Sequence, residues 1–179
     1  MFNITLHMVS SIDGFIAKTD GDISWMHSKD HYPQGKVLTQ DYIEKFLESI
    51  DCYIMGSRTF EHTLKFGWPY GEKPVFVLTS RPLESEKRTV RFYSGDLKSL
   101  VKSKLQSEYK NVWVVGGSKL AKSFLKANLI DDIVITYVPV LLGEGVLFFD
   151  YIKSEKELHL KDVTAFNDGM VELTYAIKK

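Results

Sequence analysis

Residues 111–145 read NVWVVGGSKLAKSFLKANLIDDIVITYVPVLLGEG, and this stretch decides the fold. Val112 to Val115, with Trp113 among them, is a short apolar run of the kind buried on both faces of a sheet. Gly116-Gly117 ends it. Leu120, Phe124, Leu125 and Leu129 then recur at helical spacing, and Ile133 to Val138 restores a strand pattern. Strand, helix and strand make one β-α-β unit. Glycines before a helix N-terminus let a phosphate approach unpaired N–H groups and a partial positive charge. The same pair serves equally as a tight turn with no ligand, and it lacks the spacing of the dinucleotide fingerprint G-x-G-x-x-G.

Upstream, two more strands end in turns of similar chemistry. Cys52 to Met55 runs into Gly56-Ser57-Arg58-Thr59, and Pro74 to Leu78 into Thr79-Ser80-Arg81-Pro82. A guanidinium among hydroxyls suits a phosphate, although Arg58 as a surface side chain and Ser57 as a plain cap explain the first turn as well. Phe2 to Val9 is an alternating strand with Phe2, Ile4, Leu6 and Met8 on one face and Asn3, Thr5, His7 and Val9 on the other. Thr39 caps an expected helix through Ser49, with Tyr42, Ile43, Phe46, Leu47 and Ile50 as its apolar stripe. Val90 to Tyr93 is a further strand, and Asp96 caps a helix to about Gln106. Downstream, Leu158 to Phe166 and Met170 to Ile177 are strands joined by Asn167-Asp168-Gly169, a hairpin signal.

This order predicts an α/β domain over residues 1–179, three-layered α/β/α, with a mostly parallel sheet and a C-terminal antiparallel hairpin. Ligands of such sheets bind beyond the carboxyl ends of the strands. Three strand ends with anion-binding chemistry on one edge favour a phosphate-rich ligand such as a dinucleotide.

Composition narrows the function. Lys plus Arg and Asp plus Glu number 23 each, so no net field favours nucleic acid or an anionic membrane. No stretch reaches the length of a membrane span and no signal-peptide pattern opens the chain, and the single cysteine, Cys52, fits a reducing compartment. A cytoplasmic protein is expected. His27, His31, His62 and His159 show no metal-ligand spacing, so no metal is expected either.

In chain order, Val9-Ser10-Ser11-Ile12-Asp13-Gly14-Phe15-Ile16-Ala17, Ile23-Ser24-Trp25, Met55-Gly56-Ser57-Arg58-Thr59-Phe60-Glu61, Val77-Leu78-Thr79-Ser80-Arg81, Val114-Val115-Gly116-Gly117-Ser118 and Leu142-Gly143-Glu144-Gly145 form a recognisable series. With Phe148-Phe149 it resembles the dihydrofolate reductase superfamily, and in particular the reductase domain of bacterial riboflavin biosynthesis. The resemblance implies an NADPH-dependent reductase passing a hydride to a small heterocyclic substrate, most like 5-amino-6-(5-phosphoribosylamino)uracil. A dihydrofolate reductase, or a non-catalytic nucleotide-binding protein on the same fold, is the alternative.

Carried onto this sequence, the resemblance places Val9 and Ile16 at the nicotinamide. It places Gly56, Ser57, Arg58 and Thr59 at the pyrophosphate and adenosine, and Thr79, Ser80 and Arg81 at the ribose phosphate and adenine. Val115, Gly116, Gly117, Ser118, Lys119 and Leu120 would meet the pyrophosphate. Trp25 and Thr136 would touch the substrate. The family has arginine directly after the strand-ending glycine, where this chain has Ser57, so reading the 2′-phosphate falls to Arg58 or Arg81. Its E-G-G becomes Val115-Gly116-Gly117 here. For the proton donor, Asp41 in the first helix is the leading candidate, with Glu44 behind it. His7 shares the face of Val9 and would enter the substrate cavity, to deliver a proton or bind an anion, unless it is a structural histidine. A homodimer is implied by the resemblance; the apolar stretch Val138 to Phe149 could supply part of its interface, and core packing explains these residues as readily.

Overall fold

Alternation along β1 (Asn3–Ser11) buries Ile4, Leu6 and Met8 beneath the sheet and turns His7 and Val9 to the opposite face. The computed structural model, which describes residues 1–178, is built around this central strand. β3 (Cys52–Gly56), β4 (Val75–Leu78), β5 (Val90–Tyr93), β6 (Asn111–Gly116) and β7 (Asp132–Val138) join it in parallel. β9 (Leu158–Ala165) and β10 (Val171–Ile177) close one edge in antiparallel fashion. The order is β5-β4-β3-β6-β1-β7-β10-β9. A separate antiparallel pair joins β2 (Phe15–Ala17) to β8 (Val146–Leu147).

Helices cover both faces, giving the expected three layers. Thr39 accepts a hydrogen bond from the Tyr42 N–H and starts α1 (Gln40–Ser49). α2 (Ser57–Phe66) follows β3 directly and buries Phe60 against Tyr53, Met55 and Val77. On the other face, the helix over residues 97–108, called α3 here, carries a π-helical turn at Val101–Leu105. Its Leu100 and Leu105 pack with Leu6 and Val112. α4 (Ser118–Lys126) adds Ala121, Phe124 and Leu125 to the same core. Each such fully buried Leu or Phe contributes about 1.5–3 kcal/mol relative to exposure. Packing therefore fixes the strands whose upper ends carry the site.

The hairpin forms as the sequence signals, with Gly169 at φ +79° and its N–H donating to the Phe166 carbonyl. In β10 the register sets Glu172 opposite Thr136 of β7, and β7 in turn sets Thr136 opposite Val9 of β1. These side chains share the face that α1 and α2 cover.

Candidate active site

A cavity of about 1050 Å³ lies over the carboxyl ends of β3, β6, β1 and β7. Its two halves differ in chemistry. In one, α2 and α4 begin at Gly56 and Gly117, and neither cap residue supplies a side-chain hydrogen bond to its helix. Both N-termini thus keep backbone donors open to the cavity, among Ser57, Arg58, Thr59, Ser118 and Lys119. Two helix ends, two cations and several hydroxyls suit a pyrophosphate. Ile16 and Val9 border this half and supply an apolar edge.

Gly116 explains how the backbone comes so close. Its φ is +113°, and a Cβ there would sit 2.5 Å from Met8 Sδ, so no other residue fits without displacing the core. Gly117, by contrast, lies at the cavity surface, facing Thr59 and Ile16.

The second half is aromatic. His7 stacks on Trp113 with ring centroids 5.1 Å apart and meets Phe46 edge-on at 5.3 Å. Trp113 Nε1–H donates to the His7 carbonyl at 2.8 Å, which locks the pair. Tyr42, Ile43, Phe166 and Met170 complete the walls. Within this apolar setting lies one polar chain. Thr136 Oγ1 donates to Glu172 Oε2 at 2.9 Å, and His7 Nε2 lies 3.2 Å from the same hydroxyl and 3.5 Å from the carboxylate.

Burial lowers the His7 pKa to about 4, so the imidazole is neutral at neutral pH and its contact with Glu172 is not an ion pair. With the Thr136 proton committed to Glu172, the threonine oxygen accepts from His7 Nε2–H. Nδ1 is left as a buried acceptor with no partner. Burial pushes Glu172 above the usual carboxylate range, the Thr136 hydrogen bond opposes that shift, Asp162 adds to it and Lys36 opposes it.

Residues 3–172 match the RibD C-terminal domain family. The chain belongs to that family. It is 32% identical over 172 residues to the uncharacterized protein YwjB of Bacillus subtilis, covering 95% of each chain. Among solved structures it is similar to a putative riboflavin biosynthesis protein from Shewanella, with TM-score 0.85, 28% identity and 99% of each chain covered. A diaminohydroxyphosphoribosylaminopyrimidine deaminase/5-amino-6-(5-phosphoribosylamino)uracil reductase from Thermotoga maritima matches at TM-score 0.70 and 17% identity, over 99% of this chain and 57% of that one. Dihydrofolate reductase from Enterococcus faecalis, complexed with NADP(H), gives 0.60 and 19%, over 99% and 97%. At these last identities the likeness is one of fold. The fold is dihydrofolate reductase-like.

Within this RibD-like cleft, Val9, Ile16, Gly56, Ser57, Arg58, Thr59, Val115, Gly117, Ser118, Lys119 and Leu120 all line the cavity, as do His7 and Thr136. Other expected residues stand elsewhere. Gly116 lies beneath the surface, against Met8. Thr79, Ser80 and Arg81 follow β4 but are not among the lining residues, and Arg81 is held by Glu61 at 2.8 Å. Trp25 sits in the 3-10 turn Ser24–Met26, where Ile23 and Met26 reach the cavity and Trp25 does not. Asp41 is a correction. It is 73% exposed, pairs with Lys45 one helical turn away and stands outside the cavity, because the apolar stripe of α1 turns Tyr42, Ile43 and Phe46 inward instead. The carboxylate that does enter is Glu172, which sequence reasoning passed over. The available signal was a lone acid in the strand VELTYAI.

Proposed function

We propose that this RibD-family protein is an NADPH-dependent reductase of a small heterocycle, most like 5-amino-6-(5-phosphoribosylamino)uracil. One observation carries the reading: two helix N-termini without side-chain caps, with Arg58 and Lys119, share a single cavity with an aromatic half that holds one carboxylate. The donor set fits the cofactor. Ser57 to Thr59 and Gly117 to Lys119 would hold its phosphates, and Val9 and Ile16 its nicotinamide. When bound it supplies a hydride; the protein positions the substrate, excludes water and manages the proton. A dihydrofolate reductase is less favoured, since the first-helix acid Asp41 stands outside the cavity.

The test is calorimetric titration with NADPH and NADH, followed by a single turnover with the pyrimidine. Tight NADPH binding and its oxidation are expected. Binding without turnover of pyrimidine or dihydrofolate would favour a nucleotide-binding protein, and no binding of either cofactor would remove the reductase reading.

We also propose a homodimer through the outer sheet edge. Leu158, Leu160 and Val163 of β9 are exposed, and they lie opposite Ile177, Tyr175 and Leu173 in one continuous apolar face. An edge strand this apolar invites pairing with another chain. Of the segment 138–149, Leu141, Val146 and Phe149 are exposed while Val138 and Phe148 are core. Leu160→Arg is expected to convert a dimer into monomers in sedimentation velocity; an unchanged sedimentation coefficient would count against this edge.

A further inference from the structure

The geometry at the aromatic end of the cavity says more about Glu172 than that it is present. Its two oxygens are not equivalent. Oε2 receives the Thr136 hydroxyl at 2.9 Å. Oε1 accepts no hydrogen bond among the described residues, although Glu172 lines the cavity. Thr136 is itself oriented: His7 Nε2 lies 3.2 Å from its oxygen, and His7 is clamped between Trp113 and Phe46. A neutral His7 donating through Nε2 directs the threonine proton toward Oε2. An oxygen that already accepts a hydrogen bond is the poorer place for an added proton, so a protonated Glu172 carries its hydrogen on Oε1.

We propose that Glu172 is the proton donor of this cleft, presenting an Oε1–H to the substrate, with Thr136 and His7 as the residues that position it. The proposal rests on the reductase reading and names the acid which that reading lacked. The substrate class follows as a planar heterocycle that carries a reducible C=N or C=O group, in the ring or on a substituent such as the imine form of an N-linked sugar. As the carbon of that group takes the hydride supplied by the cofactor, its π pair moves onto the nitrogen or oxygen. That atom takes the proton from Oε1, the O–H electron pair stays on the carboxylate, and solvent returns the proton afterwards. The groups facing Glu172 act from every side: His7 on β1, Thr136 on β7, Asp162 on β9, Tyr42 on α1 and Lys36 from the loop before it. The apolar walls and Asp162 favour the acid form; Lys36 and the Thr136 hydroxyl favour the carboxylate.

The first test needs no substrate. Difference infrared spectra between the full chain and Glu172→Gln, collected from acid to neutral pH, read the protonated carboxyl directly. Nitrogen-15 spectra of histidine-labelled protein read the His7 tautomer. A Glu172 titrating above ordinary carboxylates beside an Nε2–H His7 is expected. Thr136→Val is expected to raise the Glu172 midpoint further, because it removes a hydrogen bond to the charged form. An ordinary carboxylate titration, or a midpoint indifferent to Thr136→Val, would overturn the proposal. The second test is single-turnover oxidation of NADPH with 5-amino-6-(5-phosphoribosylamino)uracil. Glu172→Gln is expected to slow it roughly a hundredfold or more and to flatten its pH profile, with NADPH affinity unchanged and partial rescue by Glu172→Asp. Full activity in Glu172→Gln overturns the proposal and leaves the reductase reading intact. Failure of NADPH to bind removes that reading, and failure to reduce the pyrimidine compound rejects that substrate; in both cases the carboxyl titration still decides whether Glu172 is a poised acid.

Discussion

Arg58→Ala is expected to weaken NADPH binding roughly ten- to a hundredfold, about 1.5–3 kcal/mol, as befits loss of a charged phosphate contact. Arg81→Ala is expected to change it by about twofold or less, the scale of an exposed ion pair. The contrast comes from placement. Arg58 stands in the first turn of α2 and lines the cavity, where the helix N-terminus already favours an anion. Arg81 lies past β4 with its guanidinium on Glu61, half exposed, and would have to leave that partner to reach a ligand. Titrating each variant with NADPH and NADH separates the 2′-phosphate from the pyrophosphate. A loss confined to NADPH assigns Arg58 to the 2′-phosphate, and an equal loss for both assigns it to the bridging phosphates. Unchanged NADPH affinity in Arg58→Ala, with a large loss in Arg81→Ala, would reverse the assignment.

The half of the cavity built on the two helix N-termini was legible because it is written in local sequence. A buried strand, one or two glycines and a helical stripe announce β3-α2 and β6-α4 without knowledge of their neighbours. The ring half was not, because it depends on strand order. Alternation assigns His7 and Thr136 to faces, but only the pairing of β10 with β7 brings Glu172 beside Thr136, 36 residues away in sequence. The stripe of α1 already implied the fate of Asp41, since a helix that turns Tyr42, Ile43 and Phe46 inward turns Asp41 and Lys45 out. The β2-β8 pair stayed hidden for a different reason. Phe15–Ala17 and Val146–Leu147 are too short to carry a period and find each other only through the folded sheet. The π-helical turn in α3 has no sequence mark that we recognise.

Stability is expected to fall as pH drops from about 6.5 toward 4, and His7 is the cause. Burial holds its pKa near 4 in the folded chain against 6.5 for an ordinary histidine. Between those values the unfolded chain binds a proton that the folded chain refuses, so the stability this neutral imidazole contributes is present above 6.5 and lost below it. The gap corresponds to about 3 kcal/mol, a large share of the stability of an ordinary domain. Glu172 works in the other direction. Its raised pKa makes the folded chain the better proton acceptor above the ordinary carboxylate range, so its stabilising contribution grows as pH falls. The two partly cancel, and variants separate them. His7→Phe is expected to remove most of the acid-side loss in urea melts, whatever it does to the stability at neutral pH. Glu172→Gln is expected to steepen the loss, because the opposing proton uptake is gone. An acid-side slope that survives His7→Phe undiminished would place the titrating group elsewhere and undo the description of His7 as a buried neutral imidazole.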